Sequence, residues 1–212
     1  MKKYILFDND GVLVETEKWY YEANRIALKE LGITLGLDVY LEIMARGGTA
    51  WELAFEKGFS KKIVDNKRFQ RDDYYQDFLK TKNIEIPNVK KTLEKLSKKY
   101  KMGIVTTSRR VDFDLIHKNR GIIDYMEFSL CVEEYKRAKP YPDPYLAGLK
   151  KFKAKKEEAI VVEDSQRGLN SAVNANIQCA IVHNDFTVKH DFSKADFFIN
   201  KLDELESLLE TI

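Results

Sequence analysis

The sequence predicts an α/β protein: a doubly wound parallel sheet with an α-helical piece inserted after its first strand. Three observations carry this expectation. Short apolar runs recur at YILFD (4–8), MGIVTT (102–107), FSL (128–130), AIVVED (159–164), CAIVH (179–183) and FFI (197–199). Several are continuous rather than alternating, as in parallel strands covered on both faces. Helical patterns separate them, at about 88–100, 109–120, 142–152, 166–175 and 201–210, and such alternation implies a doubly wound sheet. The third observation is a gap: residues 15–81 contain no convincing strand.

Each element has a local reason. In VKKTLEKLSKKY, Val89, Leu93, Leu96 and Tyr100 fall at helical spacing, and the lysines fill the solvated side. Asn88 and Ser108 are expected N-caps, and Gly121 an expected stop. Ser165 reads as the N-cap of the helix at 166. Within the insertion, Trp19, Tyr20, Ala23, Ile26, Ala27 and Leu31 share one helical face, and Gly32 ends that helix. Thr49 and Glu52 are spaced as a capping box, opening a helix that Gly58 closes. A longer helix, about 60–80, carries Val64, Tyr75, Phe78 and Leu79. The expected organisation is a core domain of residues 1–14 and 82–212 and a helical domain of residues 15–81. VLVE (12–15) and TKNIEIP (81–87) connect them.

The 212 residues carry 36 Lys+Arg against 34 Asp+Glu, so the net charge of +2 gives no whole-chain field for nucleic acid. Cys131 and Cys179 sit in apolar surroundings and read as buried free thiols. The apolar run of MKKYILF is too short for a signal peptide, and no stretch reaches membrane-spanning length. The expectation is a cytoplasmic protein, monomer or weak dimer, with no nucleic-acid or membrane partner.

Ligands of open α/β sheets bind at the carboxyl ends of the strands. The first strand ends in Asp8 and Asp10, the second in Thr106, Thr107 and Ser108, the fourth in Glu163 and Asp164. Lys139 precedes PYPDPY, where three of the four prolines restrict the loop. Taken singly, each has an ordinary alternative: an Asp/Gly turn, a helix cap, a surface lysine, an acidic helix start. Together, acids, hydroxyls and an ammonium at one edge suit phosphoryl transfer with a divalent cation. A carboxylate can itself be the nucleophile and form an aspartyl-phosphate.

These motifs, DNDGV, the Thr of GIVTTS, the Lys of KPYPDPY and VVEDSQRG, stand in an order and spacing that resembles the haloacid dehalogenase superfamily. The likeness is to the branch related to β-phosphoglucomutase and phosphoglycolate phosphatase, and it covers essentially the whole chain. The resemblance implies a Rossmann-like core with a helical cap, and phosphatase activity on a small phosphorylated metabolite. It implies Asp8 as nucleophile and Asp10 as acid and base. Mg2+ would be held by Asp8, the main-chain carbonyl of Asp10 and Asp164, with Glu163 direct or through water. Thr106, Lys139 and the amides of Asn9 and Thr107 would grip the phosphoryl oxygens. ARGGTAW (45–51) resembles the branch's specificity loop, making Arg46, Thr49 and Trp51 substrate candidates, with Trp19, Tyr20 and Tyr21 on the first cap helix. At helical spacing those aromatics are more often packing than substrate wall. Family dehalogenases lack the second aspartate, and Asp10 is present here. β-Phosphoglucomutases carry a His where Tyr20 stands and an Arg where Ala50 stands, which favours a phosphatase over a phosphosugar mutase. A silent α/β protein that only binds a phosphometabolite is the third reading.

Overall fold

The computed structural model describes residues 1–212. Six strands form one sheet: β1 Tyr4–Phe7, β2 Lys101–Val105, β3 Phe128–Leu130, β4 Ala159–Glu163, β5 Cys179–Val182 and β6 Phe197–Ile199. Nine α-helices accompany them: α1 Glu17–Lys29, α2 Leu37–Ala45, α3 Glu52–Glu56, α4 Lys61–Thr81, α5 Val89–Leu96, α6 Arg110–His117, α7 Asp143–Phe152, α8 Gln166–Asn174 and α9 Leu205–Leu209. The sheet order is β3-β2-β1-β4-β5-β6, and every neighbouring pair is parallel. All six apolar runs are strands. The continuous ones are covered on both faces: every residue of β4 and β5 is buried. One side of the sheet packs Leu6, Val105 and Val161 against Tyr145, Leu149 and Leu169 of α7 and α8.

The chain divides into two compact units, Met1–Glu15 with Glu85–Ile212, and Thr16–Ile84. The second unit is entirely helical and includes α2, a helix not expected from the sequence pattern. Within it α1 lies along α4: Trp19 meets Phe78 with ring centroids 5.6 Å apart, and Tyr20 meets Tyr75 at 5.1 Å.

Three expected caps differ. The residue before α3 is Trp51, not Thr49, and only the Glu52 half of the expected box forms, with Oε1 accepting from the Thr49 amide at 3.0 Å. Asn88 precedes α5 but sits at φ 66° with no side-chain cap bond. The residue before α6 is Arg109, not Ser108, because the Ser108 hydroxyl is engaged elsewhere. Ser165 does cap α8, its Oγ accepting from the Gly168 amide at 3.0 Å. The expected C-terminal helix is a 3-10 turn, Leu202–Glu204, followed by the short α9. Both cysteines are free and buried, and no helix is long and apolar enough to cross a membrane.

Candidate active site

The strand order decides what meets at the carboxyl edge. β1 lies between β2 and β4, so residues following three adjacent strands converge. The Asp8 amide donates to the Val162 carbonyl at 2.9 Å, extending the pairing with β4 by one residue and setting Asp8 near Glu163. The chain then turns. The Asn9 carbonyl accepts from the Leu13 and Val14 amides at 2.8 and 3.2 Å, and Gly11 adopts φ +81°. A Cβ on Gly11 would collide with the Asp164 carboxylate and the Asn184 amide, so that position needs glycine for space as well as for φ.

Lys139 lies in the loop between β3 and α7 and is only 5% exposed. Its ammonium donates to Asp8 Oδ1 at 2.7 Å, Glu163 Oε1 at 2.7 Å and the Val105 carbonyl at 3.0 Å. These use all three of its hydrogens. Burial disfavours the charged lysine, but the two carboxylates outweigh it and hold its pKa above the ordinary value. An incoming ligand atom would have to take over one of these donors, and the ammonium neutralises the charge of the two acids.

The two carboxylates that share Lys139 are not equivalent. Burial, with Glu163 as the nearest like charge, pushes Asp8 up to about 7 against the pull of Lys139. Burial also opposes ionised Glu163, but Lys139, Tyr145 and Ser165 together hold it below the ordinary value. The hydrogen bonds explain the difference. Glu163 Oε1 accepts from the Tyr145 hydroxyl at 2.6 Å as well as from Lys139, and Oε2 accepts from Ser165 Oγ at 3.1 Å and the Asp164 amide at 3.2 Å. Gly168 leaves room for this: a Cβ there would strike the Glu163 carboxylate.

On the other side of Asp8, Asp10 Oδ2 accepts from Ser108 Oγ at 2.7 Å, Thr106 Oγ1 at 3.2 Å and Asn9 Nδ2 at 3.4 Å. Thr106 is fully buried, and its hydroxyl also accepts the Ser108 amide at 3.0 Å. Thr107 accepts a hydrogen bond from the Arg167 guanidinium at 3.3 Å.

One carboxylate oxygen from each of Asp8, Glu163 and Asp164 can be chosen so that all lie within 4.8 Å of one another. A set of hard oxygens of this kind fits a hard divalent cation. Asn184 orients Asp164 by donating to its Oδ2 at 2.9 Å. Both Glu163 oxygens already accept from protein donors.

The core residues expected from the sequence, Asp8, Asn9, Asp10, Thr106, Thr107, Lys139, Glu163 and Asp164, all lie at this edge. In the helical unit the candidates have local partners. Arg46 pairs with Glu52, whose Oε1 accepts from the Thr49 amide at 3.0 Å. Trp51 is 1% exposed, and the Arg71 guanidinium lies over the Tyr20 ring. Tyr21 donates to the Leu35 carbonyl at 3.1 Å.

Ser108, expected at the end of the second strand and as a cap, donates to Asp10 instead of capping, and three further residues at the core edge escape the sequence reading. Tyr145 falls inside a helical pattern. Asn184 follows β5, and the strand-end rule applied to that strand would have found it. His117 carries no signal in the sequence, yet its Nε2 lies 2.7 Å from Asn9 Oδ1.

The chain is similar in sequence and fold to known proteins. The pyrophosphatase PpaX of Bacillus cereus (strain Q1) is 26% identical over 218 residues, covering 97% of this chain and 95% of that protein. A phosphorylated carbohydrates phosphatase of Thermotoga maritima is 28% identical, covering 82% of each. The crystal structure of a β-phosphoglucomutase from Clostridium difficile superposes with a TM-score of 0.81 at 23% identity, covering 99% of this chain and 96% of that one, which shows a shared fold. The model of the haloacid dehalogenase-like hydrolases matches residues 5–182, through all four motifs, and the chain belongs to that family.

Proposed function

We propose that this chain is a Mg2+-dependent phosphatase that hydrolyses a small phosphorylated metabolite through an aspartyl-phosphate on Asp8. The observation that carries this reading is the pair of carboxylates on one turn in different surroundings. Asp8 is pressed against Lys139, while Asp10 Oδ2 is held by three donors. The names of the relatives point to phosphorylated substrates, and the donor set suits the cation.

Asp8 attacks phosphorus, and its carboxylate oxygen forms the new P–O bond. Asp10 donates its proton to the departing oxygen, which keeps the electron pair of the broken bond. The deprotonated Asp10 then takes a proton from water as that water attacks the phosphoryl group and frees Asp8. Lys139 balances the charge of Asp8 throughout, and Thr106 with the amides of Asn9 and Thr107 receives the phosphoryl oxygens. Mg2+, held by Asp8, Asp164 and the Asp10 carbonyl with Glu163 behind them, would neutralise the phosphoryl oxygens when bound. The core is Met1–Glu15 with Glu85–Ile212. The helical unit, Thr16–Ile84, serves as a cap that sets specificity through Arg46, Thr49, Trp51, Trp19 and Tyr20. A cytoplasmic location completes the reading.

The test is hydrolysis of 4-nitrophenyl phosphate. Turnover is expected with Mg2+ and none with chelator; metal-independent turnover would contradict the proposal. A phosphosugar mutase must hold a bisphosphate by its distal phosphate, a task that suits the bidentate geometry of Arg. Ala50 stands at the expected Arg position. β-Glucose 1-phosphate with a trace of the 1,6-bisphosphate should therefore yield inorganic phosphate or nothing. Efficient conversion to glucose 6-phosphate would favour the mutase and make Arg46 the first residue to test.

A further inference from the structure

We propose that His117 and Asn9 form a buried positioning pair that aims the Asp10 carboxyl at the leaving-group oxygen, a role that rests on the phosphatase reading above. His117 is the last residue of α6 and is 3% exposed; Asn9, between the two catalytic aspartates, is fully buried. The imidazole is held against the Phe113 ring, with centroids 4.4 Å apart, and its Nε2 lies 2.7 Å from Asn9 Oδ1. Burial pushes the His117 pKa down to about 4, so the ring is neutral and carries a single N–H. With Asn9 Oδ1 as the acceptor, that hydrogen must be on Nε2.

The orientation of the amide follows from its two ends taken together. Its oxygen is held by His117 and its nitrogen is turned to Asp10 Oδ2, 3.4 Å away. A flipped amide would set Asn9 Oδ1 against the Asp10 carboxylate, acceptor facing acceptor. The imidazole N–H selects the same orientation from the oxygen end of the amide. The main chain of Asn9 shapes the same unit, since its carbonyl closes the turn that carries Asp10. His117 thus governs the carboxyl from the side chain, and Asn9 from both.

The choice of residue points the same way. Nδ1 of His117 is buried and has no hydrogen-bond partner in the protein. A leucine would fill the space without leaving a buried lone pair unmatched. Packing alone gives no reason for histidine here; the Nε2–Asn9 bond does. Asn9, Thr106 and Ser108 all donate to Oδ2, and together they set the plane of the carboxyl. In the phosphorylation step the Asp8–phosphorus bond forms, the bond from phosphorus to the leaving oxygen breaks, and that oxygen takes the electron pair and the Asp10 proton.

The test varies how much the leaving group needs that proton. kcat/KM, which reports steps through departure of the phenol, is measured with Mg2+ for 4-nitrophenyl, phenyl and 4-methylphenyl phosphate. A 4-nitrophenolate leaves with little help; 4-methylphenolate depends on the acid. His117→Leu is expected to raise the 4-nitrophenyl to 4-methylphenyl ratio about tenfold, part of the 10²–10⁴ that a positioned acid contributes. His117→Gln, which retains an N–H near the Nε2 position, is expected to keep the wild-type ratio. Asn9→Leu probes the pair from its other end and is expected to match His117→Leu. A merely structural role would lower all three substrates by one factor. That result, an unchanged ratio in both leucine variants, or a His117→Gln ratio like that of His117→Leu would overturn the proposal. Failure of the wild-type protein to hydrolyse any of the three would remove the phosphatase reading itself, and this inference with it.

Discussion

Replacing Asp8 by asparagine is expected to lower the turnover of any phosphorylated substrate by about 10⁴-fold or more, as loss of a covalent nucleophile does elsewhere. The amide is nearly isosteric and keeps an oxygen for Lys139, but it is a poor nucleophile and a weaker cation ligand. Its effect on stability has the opposite sign. Asp8 is pushed up to about 7 in the folded chain, chiefly by burial and by Glu163, against about 3.9 in an unfolded chain. Between those values the folded state binds more protons than the unfolded state. Stability contributed by this group therefore falls as pH rises through the window. At pH 8 without divalent cation the wild-type protein bears the full penalty, and Asp8→Asn escapes it. The variant should then melt higher than wild type while turning over nothing. Thermal melts in chelator at pH 8, beside the hydrolysis assay, check both halves; near-wild-type activity in a folded Asp8→Asn sample would sink the mechanism.

The second large effect belongs to Lys139→Met. Methionine nearly matches the volume but leaves Asp8 and Glu163 buried without the cation that both contact at 2.7 Å. Removing one partner of a buried ion pair typically costs about 3–5 kcal/mol. Urea denaturation in chelator should show a loss of that size. Activity should fall about 10²–10³-fold, the scale for losing one electrostatic contact to the reacting group. Mg2+ restores part of the stability, since it supplies positive charge to the same acids, but not the activity. Lys139→Arg is expected to rescue little, because a planar fork does not fit three converging acceptors around a 5% exposed ammonium. A loss of less than about 1 kcal/mol for Lys139→Met would mean that the ion triad is not a buried interaction at all.

The residues that read clearly in the sequence share a physical cause. AIVVE and CAIV are continuous apolar runs because both faces of those strands are covered. The acids following β1 and β4 stood out because carboxylates after such runs lack a packing explanation. Lys139 could be suspected only from its proline-rich loop and the order of motifs; its burial between two carboxylates is a tertiary fact. Ser108 looked like a cap because a serine before a helical pattern usually is one, and here a carboxylate from another strand captured the hydroxyl. Tyr145 sits on the apolar face of α7, where periodicity predicts packing, and its hydroxyl reaches Glu163 only because the sheet brings β4 alongside. His117 and Asn9 are 108 residues apart in the chain, and no local pattern links them. In the helical unit the weighting of the aromatics towards packing matches the ring contacts of Trp19 with Phe78 and Tyr20 with Tyr75.

The central claim is that Asp8 carries the phosphoryl group while Asp10 handles the protons, and one measurement separates these roles. Asp10→Asn cannot activate water, yet 4-nitrophenolate needs little help to leave. Incubated with Mg2+ and 4-nitrophenyl phosphate and quenched in acid, that variant should accumulate a covalent phosphoryl group. Mass spectrometry of its peptides should place the group on Asp8. A phosphoryl group on any other residue, or Asp10→Asn turning over at the wild-type rate with no modified Asp8, would contradict the account.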